Sequence, residues 1–170
     1  MWHYATVDPM ATATFTPLLP RPQVAPAICD AYRVEITNPE VTDIDAAVRA
    51  FFGNSPAWLG HLMRARNAVV KRLGFATNDD ERRELPQRFE LGDAMGPFTI
   101  LERSNHEIVM GGDDTHYSFR LSMWIPEGTR TLQATTHGHH HSRLGRVYLA
   151  IVKPGHRLIA PMMVKRAARP

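Results

Sequence analysis

SRLGRVYLAIVKPGHRLIAPMMVKR, residues 142–166, is the longest strongly patterned stretch of the chain, and it decides the fold. Its apolar side chains recur at the i, i+3, i+4 and i+7 offsets that share one face of an α-helix. These side chains are Leu144, Val147, Tyr148, Ile151, Val152, Leu158, Ile159, Met162 and Met163. Ser142 is suited to cap the start, and the basic end suits a helix C-terminus. We therefore predict a long C-terminal helix against which the rest of the chain lies.

Two prolines interrupt this helix in the sequence. Pro154 removes a backbone hydrogen bond and is expected to kink the helix, with Gly155 beside it. Pro161 is a second interruption, at which we expect the regular part to end early. The segment Leu144–Val152 would then do the packing, and the kink would place His156 at the wall of a cavity.

Upstream of this helix the pattern predicts one strand, two helices and then about five strands. DAYRVEIT, residues 30–37, alternates like a half-buried strand, and two short amphipathic helices follow at 44–54 and 56–73. Trp58 is expected to anchor the second helix in the core. The later strands are predicted at Arg88–Leu91, Phe98–Arg103, Glu107–Met110, Tyr117–Ile125 and Thr131–His137. Short turns between consecutive strands indicate an antiparallel meander.

This order of elements predicts an α+β helix-grip fold: a curved antiparallel β-sheet wrapped around a long C-terminal helix, with two short helices after the first strand. A cavity between sheet and helix would take a small apolar or amphipathic ligand. We expect its lining to come from Tyr117, Phe119, Leu121, Tyr148, Ile151 and His156.

Size and composition fit one domain with a short tail. The chain has 170 residues, a net charge of +3 and one cysteine, Cys29, which fits a reducing, cytoplasmic compartment. Proline recurs within residues 1–27, which we interpret as an extended or disordered tail. Residues 28–170 are interpreted as a single domain. Basic residues form no block, and no run of about 18 apolar residues exists. We expect no nucleic-acid partner, no membrane partner and no cofactor; a homodimer stays open.

Three segments carry a resemblance to a known family: WLGHLMRARNAVVKRLG (58–74), GPFTILERSNHEIVMGGDDTHYSFRLSMWI (96–125) and LGRVYLAIVKPGHRLI (144–159). They resemble a bacterial family catalogued as domain of unknown function 2867. The resemblance implies a fold similar to the START-like (SRPBCC) ligand-binding superfamily, and it implies no established activity. The chain departs from the family pattern at Gly155, where an aromatic is expected, and at His139–His141. The departure at Gly155 is expected to reshape the cavity.

A crowded hairpin offers the candidates for catalysis. Glu107 and His116 are the acid and histidine that could serve as general base and orienter there. The other interpretation is ordinary turn chemistry for Asp113 and Asp114, with His116 bonded to them. Acidic groups of this hairpin could also form ion pairs with Arg146 or Arg157 and so lock the helix onto the sheet.

The segment HGHHH, residues 137–141, is the one candidate for a metal site. His137, His139 and His141 alternate, so that on an extended strand they would project to one side, and neutral imidazole suits zinc, copper or nickel. No carboxylate or cysteine ligand can be assigned to them from the sequence. We therefore expect no metal and interpret the segment as a polar turn before the helix.

Three functions remain open from the sequence. The first is a non-enzymatic module that binds a small apolar or amphipathic molecule, and it rests on architecture and resemblance. The second is a cyclase- or hydrolase-like enzyme on the same scaffold, which would use an acid and a histidine. The third is a protein of subunit or partner interaction, with the tail as its arm. The motifs of phosphate loops, dinucleotide sites and nucleophile elbows are absent.

Overall fold

The computed structural model describes residues 16–19, 25–72 and 85–170, without the side chains of residues 69 and 70. The predicted tail at 1–27 therefore lies largely outside the described residues, as does the expected end of the second helix at residue 73. The elements are β1 (Ile28–Glu35), α1 (Ile44–Gly53), α2 (Ala57–Arg72), β2 (Ala94–Met95), β3 (Phe98–Arg103), β4 (Glu107–Asp113), β5 (Tyr117–Trp124), β6 (Thr131–His140) and α3 (Arg143–Ala168).

The strands form one antiparallel sheet in the order β1-β6-β5-β4-β3-β2. The meander from β2 to β6 follows the chain, and β1 joins it at the far edge beside β6. Two helices follow β1, and the long terminal helix α3 packs on the sheet. The predicted α+β architecture is confirmed.

Several strand predictions need correction, and β4 for example continues to Asp113 rather than ending at Met110. Arg88–Leu91 is not a strand: Phe89 is fully buried, but its N–H donates to the Asp45 carboxylate at 2.9 Å instead of joining the ladder. Its apolar side chain gave a strand-like signal without strand pairing. At the other end, β6 continues to His140 rather than stopping at His137, since His139 and His140 pair with Ser118 and Tyr117 of β5.

α3 is a single helix of 26 residues that passes through both Pro154 and Pro161. Ser142 caps it as predicted, because its hydroxyl accepts the N–H of Gly145 at 3.0 Å. The expectation that the regular part ends early at Pro161 is wrong. Pro154 lies exposed on the solvent side, where water can satisfy the carbonyl that the missing N–H frees. None of the helices in the described ranges is long and apolar enough to cross a membrane.

The inner face of the sheet carries two apolar clusters. The larger one joins the sheet to α1 and to the end of α3, where Met163, Val164 and Ala167 are buried. The smaller one lies under the start of α3 and centres on Ile28, Tyr117 and Leu149. α3 is thus packed at both ends, on different parts of the sheet.

The outer face of the sheet is polar but buried. Glu107, Ser122, Gln133, Thr135 and His137 all lie there with almost no exposed surface. The segment 16–19 lies on this face: the Thr16 hydroxyl donates to the Glu107 carboxylate, and the N–H of Leu18 donates to it at 2.9 Å. The part of the tail that the structure describes therefore covers the outer face of the domain.

Candidate functional site

α2 is attached to the rest of the described structure at few points. Leu59, near its start, packs against the larger apolar cluster, and Arg66, two turns further on, reaches the smaller one. Trp58 and Leu62 lie on the same side of α2, within about one turn of these two contacts. Both are nearly half exposed. The prediction that Trp58 anchors the core is wrong, because α2 turns its apolar side toward the body without closing onto it.

Arg66 forms the polar centre of this region. Its Nε and Nη2 donate to the Tyr148 hydroxyl at 2.8 and 2.6 Å, and Nη2 also donates to the Tyr117 hydroxyl at 2.8 Å. Nη1 donates to the Asn67 amide oxygen at 2.8 Å. A guanidinium has five N–H groups, so within the described ranges one N–H on Nη1 remains for a further acceptor. We call Arg66, Asn67, Tyr117 and Tyr148 the Arg66 site.

The positive charge of Arg66 has only neutral partners in the described part of the chain, and no carboxylate forms an ion pair with it. Burial pulls the pKa of Arg66 down, but the two tyrosine oxygens outweigh it, and the net pKa is raised. Burial, helped by Tyr148, raises the pKa of Tyr117 to about 12, so this hydroxyl stays neutral. The site therefore holds an uncompensated, half-buried cation.

A row of aromatic rings leads away from the Arg66 site along the inner face. The rings of Tyr148 and Tyr117 are 4.9 Å apart, and Tyr117 stacks on Phe119 at 6.3 Å between centroids. Phe98 follows at 5.3 Å from Phe119, and Phe52 of α1 at 5.3 Å from Phe98, both edge to face. The cation thus sits at one end of a continuous apolar wall.

The structure brings together only part of the predicted ligand-binding set. Tyr117, Phe119 and Tyr148 lie side by side at the Arg66 site. Leu121 is buried in the larger cluster, and Ile151 lies on the solvent side of α3, so neither lines this wall. The helical period places Ile151 on the same face as Tyr148. The part of α3 that is buried, however, is narrower than the apolar face of its sequence. The role of these residues in binding stays a prediction.

His156 belongs to a separate polar pair beneath the middle of α3. Its Nε2 lies 3.7 Å from Oδ2 of Asp30 on β1, and neither atom has a hydrogen-bond partner in the described ranges. Burial lowers the pKa of His156, Arg157 lowers it further and Asp30 opposes them. A neutral imidazole beside a carboxylate can accept a proton, so this is the acid–histidine pair that the structure provides.

Sequence reasoning missed Asp30, although a signal for it existed. Asp30 shares its parity in β1 with Tyr32 and Val34, so it had to lie on the apolar face of the strand. A carboxylate is rarely buried at such a position unless another group pairs with it.

Glu107 and His116 do not form the predicted catalytic pair. Glu107 starts β4, whereas His116 precedes β5 at the other end of the hairpin, and the six residue steps from Glu107 to Asp113 span about 20 Å. Glu107 is bound to Thr16 and Ser122 on the outer face. Nδ1 of His116 is hydrogen-bonded to the Ser142 hydroxyl at 2.9 Å, at the start of α3.

The predicted ion pairs between this hairpin and α3 are also wrong. Asp113 pairs with Arg120 of the neighbouring strand at 2.9 Å, and Asp114 accepts the N–H of His116 at 2.9 Å. Arg146 and Arg157 are exposed and reach neither carboxylate. The turn is held to α3 by hydrogen bonds to the helix cap instead.

The histidine run is divided between a strand and the turn after it. His137 and His139 share the outer face of β6, whereas His141 lies past the strand and contacts the Ser118 hydroxyl at 3.0 Å. Burial lowers the pKa of His137 to about 4, with His139 adding to the effect. Within the described ranges no group of three or more histidine, cysteine or acidic residues could hold a metal ion.

Two surface pockets lie elsewhere in the described structure. One of about 290 Å³ lies beside α1, between Asn38 and Asn54, and one of about 190 Å³ lies near the turn at Pro126. Neither is lined by α3. Gly155 does not line an interior either, since a β-carbon there would meet no atom within 4 Å. The expectation that Gly155 reshapes a cavity is therefore wrong.

Comparison with protein families gives a match over most of the chain. The model described as protein of unknown function (DUF2867) matches residues 25–163, which is most of the chain and includes every residue of the Arg66 site. The search of curated proteins finds no match.

Proposed function

The chain belongs to the family described as protein of unknown function (DUF2867), and we propose that it binds a small amphipathic molecule with an anionic head at the Arg66 site. The observation that carries the proposal is the half-buried guanidinium of Arg66, which is fixed by two tyrosine hydroxyls and has no carboxylate partner in the described chain. A half-buried guanidinium that is held in place by neutral partners is suited to pair with a ligand of opposite charge.

The arrangement around Arg66 matches the two ends of such a molecule. One N–H of the guanidinium has no acceptor among the described residues, and planar guanidinium groups favour carboxylate or phosphate oxygens. The tail would run along the rings of Tyr117, Phe119 and Phe98, and Trp58 and Leu62 of α2 would cover it from the other side. The half-exposed apolar side of α2 is explained if it closes onto the bound tail.

The START-like architecture that the sequence resemblance implies supports the same proposal. In that arrangement the ligand lies between the sheet and the long C-terminal helix. In this chain the end of α3 packs directly on the sheet through Met163, Val164 and Ala167. We therefore assign the ligand to the start of α3, beside Tyr148, rather than to the whole length of the helix.

Titration calorimetry with decanoate and with uncharged decanol tests the proposal. We expect one saturable site for decanoate and binding at least about tenfold weaker for decanol, since a charge-assisted hydrogen bond contributes about 1.5–3 kcal/mol. Arg66→Gln should weaken decanoate to the level of decanol. Arg64→Gln removes the same charge from an exposed position of α2 and should change nothing. Equal binding of both probes, or of decanoate to Arg66→Gln, would contradict the proposal.

An enzyme on the same scaffold is the second candidate, and the specific observation for it is the Asp30–His156 pair. A neutral His156 beside Asp30 could act as a general base. Hydrolysis of p-nitrophenyl butyrate that disappears in both Asp30→Asn and His156→Gln, while decanoate binding persists, would support it. An equal background rate in all three proteins would exclude this use of the pair.

A further inference from the structure

The solvent side of α3 carries a straight apolar stripe. Val147, Ile151 and Leu158 are 56%, 72% and 75% exposed, and Pro154 lies exposed between them. Spacings of four, three and four residues place these side chains within roughly 60° of one another around the helix. The stripe extends over about 17 Å. We call these four residues the α3 stripe.

The charges around the α3 stripe have one sign. Between Arg143 and Ala168 the sequence holds no aspartate or glutamate, and Arg143, Arg146, Lys153 and Arg157 lie on its first two-thirds. None of these four forms an ion pair with a carboxylate in the described structure. The sequence of α2 is likewise basic and contains no aspartate or glutamate. The sequences of α2 and α3 thus carry cations without anions, although the net charge of the chain is only +3.

We propose that the α3 stripe docks on the surface of a membrane that contains anionic lipids. Apolar side chains flanked by lysine and arginine are the pattern of helices that lie in the interface plane, with the apolar stripe inserted and the cations at the headgroups. Such docking requires no spanning helix. The proposal replaces the expectation of no membrane partner, which rested on the charge balance of the whole chain rather than on where the charges lie.

Charge complementarity favours a lipid surface over the other occupants of this stripe. A second copy paired symmetrically through α3 would bring two wholly basic helices together, which repels. A nucleic acid would use the arginines but would leave Ile151 and Leu158 in water, because phosphate contacts carry its affinity. An anionic bilayer satisfies both the charge and the apolar stripe.

Co-sedimentation of the full chain with lipid vesicles tests the proposal. One set of vesicles contains phosphatidylcholine alone, and the other contains equal parts of phosphatidylcholine and phosphatidylserine. We expect binding to the anionic vesicles only, weakened by added salt. The double variant Ile151→Ser/Leu158→Ser should lower the affinity at least about tenfold. Leu91→Ser, at a similarly exposed leucine outside α3, should leave it unchanged.

The double variant Arg143→Gln/Arg146→Gln tests the contribution of the cations. It should lower the affinity for anionic vesicles about tenfold or more, since each cation near an anionic surface contributes about fivefold. All variants should keep the urea midpoint of the parent. Absence of binding, equal binding to neutral vesicles, or full binding by the serine variant would overturn the proposal. A dimer in sedimentation velocity that the serine variant loses, without vesicle binding, would assign the stripe to a second copy instead.

Discussion

Gly145 lies directly against the turn that precedes β5. A β-carbon built there would lie 1.9 Å from the carbonyl oxygen of His116 and 2.7 Å from its carbon. That carbonyl is fixed, because it accepts the N–H of His141 at 2.8 Å. The obstacle is backbone rather than a flexible side chain, so Gly145→Ala must push the start of α3 away from the turn by more than about 1 Å.

The expected cost of Gly145→Ala can be worked from these contacts. Overpacking costs about 1–3 kcal/mol, and a lost backbone hydrogen bond adds about 1 kcal/mol. Alanine returns up to about 1 kcal/mol of helix propensity. We therefore expect a net loss of about 2 kcal/mol in the free energy of unfolding.

Gly155→Ala is the matched control in the same helix. No atom lies within 4 Å of a β-carbon at Gly155, so only the propensity gain of about 0.5–1 kcal/mol applies. Urea denaturation followed by circular dichroism should therefore move the two midpoints in opposite directions. A Gly145→Ala protein as stable as the parent would refute the close packing of α3 on the turn, and a destabilised Gly155→Ala would refute the exposed position of Gly155.

Two further predictions concern buried charge. Stability should fall as the pH drops from about 6.5 to about 4, because the unfolded chain binds a proton at His137 that the folded chain refuses until about pH 4. At about 1.4 kcal/mol per pKa unit, His137 alone contributes up to about 3 kcal/mol, and urea midpoints of His137→Gln should vary less over this range. Asp45→Ala should cost about 2–4 kcal/mol in the same assay, because it leaves the nearly buried Arg103 without its carboxylate at 3.2 Å. Asp113→Ala, which breaks an exposed pair, should cost less than about 1 kcal/mol. Equal losses for Asp45→Ala and Asp113→Ala would contradict the role of the Asp45–Arg103 pair. A stability that does not change with pH would contradict the role of His137.

The architecture was predictable because periodicity reports which side of an element is apolar. The alternation of Tyr117, Phe119 and Leu121 identified β5, and Ser142 identified the start of α3. Periodicity does not report whether another element covers that side. Trp58 and Ile151 belong to well-patterned helices, yet Trp58 is nearly half exposed and Ile151 is largely exposed, because α2 closes incompletely and α3 buries a narrow stripe.

The outer face of the sheet shows the converse limit. The alternation of β5 predicts that Ser122 lies away from the apolar core, and the pairing of Glu107 with Trp124 puts Glu107 on the same outer face, but both are buried all the same. Their cover is Thr16, which is 91 residues away from Glu107 in the chain. No local pattern encodes a contact between such distant segments, so a carboxylate that looked available for catalysis is a hydrogen-bond partner of the tail.

The Arg66 site was only half visible in the sequence. Arg66 and Tyr148 each fell in a family motif, and Tyr117 and Tyr148 were assigned to the ligand. Their meeting depends on the path between α2 and the sheet, which the local pattern leaves undetermined. Conversely, the parity of Asp30 in β1 predicts its apolar face, whereas its pairing with His156 depends on the continuation of α3 past Pro154.

Mapping the binding of decanoate by NMR on the isotope-labelled full chain tests the central claim most directly. We predict saturable shifts of the Arg66 side-chain N–H signal and of the backbone amides of Trp58, Tyr117 and Tyr148, with none of these in Arg66→Gln. Shifts confined to the pocket between Asn38 and Asn54, or shifts that persist in Arg66→Gln, would contradict the assignment of the ligand to the Arg66 site.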